Sequence, residues 1–158
     1  MIEISSILAP TDFSTHSERA VRYACQLAER LKAPLHLLHV LSEIVPAAPD
    51  PLLMPVMPPQ FYKENEDRAL ATLERLPDST WEKPPSIVRA VRWGSPVDTI
   101  VSYAIDHKIG MVVIATHGRT GLSHVILGSV AEHIVRDAPC PVLTIRENSR
   151  SRPAASRQ

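Results

Sequence analysis

The stretch MVVIATHGRTGLSHVILGS, residues 111–129, holds the reading of the fold. Met111–Ala115 is apolar without alternation and too short for a helix, so it reads as a strand buried on both faces. The loop after it carries three of the chain's five glycines and several hydroxyls. Gly128-Ser129 then opens a helix to about Asp137, with Val130, Ile134 and Val135 on one side. Strand, glycine loop and helix in that order make the repeating unit of a parallel α/β sheet.

The same grammar extends outward. Ile4–Pro10 reads as a first strand, followed by a turn at Thr11-Asp12-Phe13-Ser14. Ser14 or Thr15 can cap a helix that runs through Ala20, Val21, Ala24, Leu27, Ala28 and Leu31 and stops before Pro34. Leu35–Leu41 is a second strand. Residues 46–59 contain six prolines and almost no charge, which excludes a helix or a central strand and suggests an excursion or lid. A helix is expected from Phe61 to Pro77, with Leu70, Leu73 and Leu76 as its stripe. Ser86–Trp93 is the third strand. Gly94-Ser95-Pro96 starts the next helix, with Ser95 as cap, Pro96 in the first turn and Asp98 completing the cap. Val97, Ile100, Val101, Ala104 and Ile105 are its stripe, ending near Gly110. Pro141–Ile145 is the fifth strand. The predicted fold class is α/β, a single-domain doubly wound parallel sheet over residues 1–146, with a flexible tail at 147–158.

Composition narrows the function. The chain has 158 residues, room for one domain with a sizeable core. Its 17 basic and 17 acidic residues cancel, which gives no electrostatic case for nucleic acid. No apolar run approaches a membrane span and no signal peptide is visible, so a cytoplasmic location is expected. Cys25 and Cys140 lack metal-ligand or redox spacing. His36 and His39 are three apart on a strand and face opposite sides, which argues against a shared metal. His124 and His133 read as surface or partner residues.

Ligands of such sheets bind past the carboxyl ends of the strands, where strand order reverses. In the fourth loop, Gly118 lets a backbone approach closely, and Gly128-Ser129 opens a helix whose first amides favour an anion. The Ser129 hydroxyl can cap that helix or meet a phosphate oxygen. The same residues also suit a tight turn with an ordinary cap. Likewise Asp12 either meets a ligand or bonds its own backbone. No lysine follows Lys108, which excludes a Walker-type loop, and no G-x-G-x-x-G is present. Ser129 lacks a nucleophile elbow.

PTDFS at 10–14, GSP at 94–96, ATHGRTGLSHVILGSVAEHIV at 115–135 and APCPVL at 138–143 together resemble the universal stress protein family over most of the chain. The nucleotide-binding branch carries G-x-x-G, nine residues, then G-[ST]. Here the spacing is kept, but Ala115 replaces the first glycine. The resemblance implies strand order 3-2-1-4-5, a homodimer through strand 142–145, and ATP with Mg²⁺ bridging its phosphates. It further implies that Asp12 contacts the adenosine, with Pro10 and Thr11 shaping the floor. The backbone of Val40 would read the adenine edge, and Ile114 and Ala115 would border the nucleoside. His117, Gly118, Gly128, Ser129 and Val130 would surround the phosphates, with Arg119 as a nearby charge. The implied function is that of an ATP-binding stress-response regulator. No base-and-orienter pair accompanies the cradle, so at most slow ATP hydrolysis is expected. A dimeric scaffold without nucleotide and a weak nucleotide hydrolase remain the alternatives.

Overall fold

The computed structural model describes residues 4–42, 57–116 and 128–146. Among the described residues nine elements alternate: β1 (Ile7–Pro10), α1 (Thr15–Leu31), β2 (Leu35–Leu41), α2 (Pro59–Glu74), β3 (Ile87–Trp93), α3 (Pro96–Asp106), β4 (Met111–Ala115), α4 (Ser129–Asp137) and β5 (Val142–Ile145). The strands form one parallel sheet in the order β3-β2-β1-β4-β5. Both the α/β class and the strand order expected from the sequence are observed.

Strand alternation sorts the core into two layers. Ile7, Ala9, Leu35, Leu37 and Val113 pack with Val21, Ala24, Cys25 and Ala28 of α1 and Leu73 of α2. Leu8, Leu38, Val112 and Ile114 pack with Ile100, Tyr103 and Ala104 of α3 and Ala131 and Ile134 of α4. Every residue of β1 is buried, which explains its uninterrupted apolar sequence.

Several boundaries differ from the sequence expectation. β1 begins at Ile7; ahead of it, the Ser6 carbonyl accepts from the amides of Gly110 and Met111. A Cβ on Gly110 would stand 2.8 Å from the Ser5 amide nitrogen, so this crossing needs glycine. α2 starts at Pro59, two residues earlier than expected, because proline is preset for the first helical turn. Its buried face is Ala69 and Leu73, spaced i,i+4, while Leu70 is exposed. α3 ends at Asp106, and Ser95 holds its N-cap position without a side-chain capping bond. Residues 43–56, most of the proline-rich segment, and the tail 147–158 lie outside the described residues.

On the α3 face, near the β2–β3 side, His36 Nδ1 lies 3.0 Å from the Tyr103 hydroxyl. The His107 ring is 5.6 Å from that of His36, and the Arg92 guanidinium is 5.9 Å from the Tyr103 ring. Burial, and then the charge of His107, lower the His36 pKa below its usual 6.5. The unfolded chain therefore takes up this proton first as pH falls. The stability tied to His36 is complete above 6.5 and is lost as pH drops from there toward the lower folded value. Urea unfolding midpoints at neutral and mildly acidic pH should accordingly drop further in the wild type than in His36→Asn.

Candidate functional site

The strand order reverses between β1 and β4. Their register contains only Ile7↔Met111 and Leu8↔Val112. Beyond it, β1 stays with β2 through Pro10↔Leu38, and β4 stays with β5 through Ala115↔Ile145. Pro10 supplies a reason. The Ile7 and Thr11 amides donate toward β2, to Pro34 and Leu38 carbonyls, so the alternate position, Pro10, faces β4. Proline has no N–H to continue that ladder. The two strands part at their carboxyl ends, where a ligand crevice is expected.

One wall is the turn after β1. Asp12 Oδ1 accepts from the Ser14 amide at 3.0 Å and from the Ser14 hydroxyl. Ser14 Oγ also accepts from the Ser17 amide, capping α1. The Thr11 hydroxyl accepts from the Phe13 amide at 3.1 Å and lies 3.0 Å from Ser17 Oγ, whose own proton goes to the Ser14 carbonyl. Phe13 sits at φ 62, a conformation a bulky residue adopts only when its surroundings impose it. The local role weighed for Asp12 is therefore present, and it fixes the carboxylate at the end of β1.

The opposite wall is the start of α4. The Gly128 amide donates to the Thr116 carbonyl at 2.6 Å. The intervening loop thus leaves and returns at one point, and the first turn of α4 is pinned to the end of β4. Glu132 N–H bonds the Gly128 carbonyl, which makes Gly128 the N-cap residue, so of the two roles open to Ser129 the capping one is not used. A glycine cap offers no side-chain oxygen to the first-turn amides, and the Ser129 hydroxyl stands exposed at the first helical position. α1, by contrast, is closed by Ser14. His133 Nδ1 donates to the Ser129 carbonyl at 2.6 Å, which leaves the amide side of this turn untouched.

Val40 lies two residues past Leu38, the last β2 residue paired with β1. The Leu35 amide donates toward β3 and the Leu38 carbonyl accepts from β1, so alternation turns the Val40 main chain toward β1, beyond where β1 ends. Alternation also turns the buried Ala115 methyl to the α1 face with Val113, away from α4; Ile114 packs on the α4 face. Pro10, Thr11, Asp12, Val40, Ile114, Ala115, Gly128, Ser129 and Val130 therefore all lie at the carboxyl edge of the sheet or the helix start beside it. His117, Gly118 and Arg119 lie outside the described residues.

Sequence reasoning gave Phe13 no role and weighed His39 only as a metal ligand. His39 is 7 % exposed, its Nδ1 donates to the Thr11 carbonyl at 2.7 Å, and its ring stacks on Phe13 with centroids 4.2 Å apart. A histidine inside an apolar strand was the available signal, because a buried polar ring requires a partner. Neither thiol is poised to react. Burial, reinforced by Glu82, pushes Cys25 up to about 12, and burial also raises the half-buried Cys140. Among the described residues no group of three metal-ligating side chains occurs. Nor is any described helix long and apolar enough to cross a membrane.

A sequence model of the universal stress protein family matches residues 3–146. The chain belongs to that family. It is 30% identical over 145 residues to universal stress protein MJ0531 of Methanocaldococcus jannaschii, covering 89% of this chain and 81% of that one. Among solved structures it resembles the universal stress protein UspA from Lactobacillus plantarum, with TM-score 0.76 and 27% identity, covering 91% of this chain and 99% of that one. Another universal stress protein, solved in complex with cAMP, aligns with TM-score 0.58 and 26% identity, over 90% and 97% of the two chains.

Ser14 serves both this family fold and the site's first wall, since one hydroxyl caps α1 and holds Asp12. Ser14→Ala should lower stability by about 1 kcal/mol in urea unfolding, the ordinary cost of losing an N-cap.

Proposed function

We propose that this chain is a nucleotide-responsive regulatory module that binds ATP in the crevice between β1 and β4. The carrying observation is the Gly128–Thr116 hydrogen bond, which sets an N-terminus without a side-chain cap beside the parted strand ends. Amides of Ser129 and Val130, with the Ser129 hydroxyl, suit phosphate oxygens. Residues His117, Gly118 and Arg119 complete the phosphate side in this reading. The Val40 main chain, one donor and one acceptor, suits the adenine edge, while Asp12 suits the adenosine sugar over a floor of Pro10 and Thr11. Ile114 and Ala115 border the nucleoside. The Ala115 methyl, turned to the α1 face, leaves the helix start open, which supports binding despite the missing glycine. The relative solved with cAMP supports an adenine nucleotide as the ligand class.

Mg²⁺ would be held by phosphate oxygens and water, because the described donors form no cage of their own. It would neutralise phosphate charge. The described walls offer hydrogen-bond donors and one carboxylate already committed to Ser14, which suits retention of ATP with slow hydrolysis at most. The cytoplasm, where ATP is abundant, is the matching compartment.

Gly128 has φ −68, which any residue can adopt, so Gly128→Val preserves the backbone while crowding the helix start. Its ATP affinity should fall by about tenfold or more in calorimetric titration. Adenine absorbance released on denaturation and a thermal shift with ATP-Mg²⁺ provide independent readouts. A wild-type protein that shows neither supports the nucleotide-free scaffold instead.

The assembly proposed is a homodimer through β5, an edge strand of partly exposed residues paired with β4 on one side. Leu143→Asp should shift the sedimentation coefficient from dimer to monomer. A variant that stays dimeric excludes this edge.

A further inference from the structure

His39 precedes Val40 on β2, and alternation turns it to the α1 face. It touches the turn after β1 in two chemically different ways. Its Nδ1 meets the Thr11 carbonyl, which can only accept, so Nδ1 carries a proton whether the ring is neutral or charged. Its ring lies nearly parallel to Phe13, at 26°. Thr11 and Phe13 are the two neighbours of Asp12. We propose that His39 is the positioning residue of this site, gripping the turn on both sides of Asp12 and so fixing the carboxylate in the crevice.

The hydrogen bonds among Thr11, Asp12, Ser14 and Ser17 span at most six residues and would survive a tilt of the whole turn. The bond from His39 spans 28 residues and adds a side-chain tie to β2 beside the main-chain bond from the Thr11 amide to the Leu38 carbonyl. Phe13 at φ 62 brings its ring back over β2 and supplies the second attachment. Val40, next in the chain, moves with the same strand. Displacement of His39 would therefore disturb both the proposed sugar contact and the proposed base contact. This role rests on the nucleotide-site reading above.

The two attachments separate by substitution. His39→Phe keeps a ring for Phe13 and removes the donor. His39→Asn places an amide N–H near the Nδ1 position and removes the ring. Two measurements on the full chain test the grip: exchange of the Phe13 and Ser14 amides by NMR without ligand, and ATP-Mg²⁺ affinity by calorimetry. In His39→Phe the exchange should quicken and the affinity weaken, each by about tenfold, while core amides such as Val112 keep their protection. His39→Asn should recover both to within about threefold of wild type. Wild-type protein should also show a protected His39 Nδ1 proton, a readout that needs no variant. The role is overturned if that proton is absent, if His39→Phe exchanges and binds like wild type, or if His39→Asn is no better than His39→Phe. Should wild type bind no ATP, the nucleotide reading falls alone, and the exchange data still decide the grip.

Discussion

The pairing of β1 with β4 stops after Leu8 and Val112, and the carboxyl face of the sheet is organised around that stop. Pro10 has no proton to offer where the ladder would continue. Each strand then follows its other neighbour, and the sheet opens while its amino half remains closed. A site at this position costs the core little, because the buried layers of Ile7, Leu8, Val112 and Val113 lie below the opening.

Two short tethers shape the opening. The hydroxyls of Thr11, Ser14 and Ser17 knit the turn after β1 to the start of α1. The Gly128 amide closes the loop after β4 on Thr116. The contrast between the two helix starts is electrostatic. α1 has its capping need met by Ser14, whereas α4 begins with a glycine that has no side chain to cap its first amides.

Much of the fold was legible because burial leaves periodic marks. The unbroken apolar run of β4, and that of β2 apart from His36 and His39, reported a sheet covered on both faces, and their observed limits match the expected ones. Errors clustered where local chemistry competes. Leu70 looked like part of the α2 stripe, yet Ala69 is buried instead, since a small residue lets the helix approach the sheet. For Ser129 the sequence left a cap and a ligand contact both open, and the bond from the Glu132 amide to the Gly128 carbonyl makes Gly128 the boundary residue. Of the site, Asp12, Gly128 and Ser129 were visible as motif positions. Phe13 and His39 were not, because their roles depend on a stack and a hydrogen bond between strand and turn.

The sequence by itself determined the alternation of strands and helices and the glycine loop, since periodicity and spacing are local properties, and its motifs carried the resemblance to the family. Only the tertiary structure decided which strand ends part, where the Ala115 methyl points, and that His39 reaches Thr11 across 28 residues. These depend on strand register and alternation, which place distant residues side by side and which no local pattern encodes.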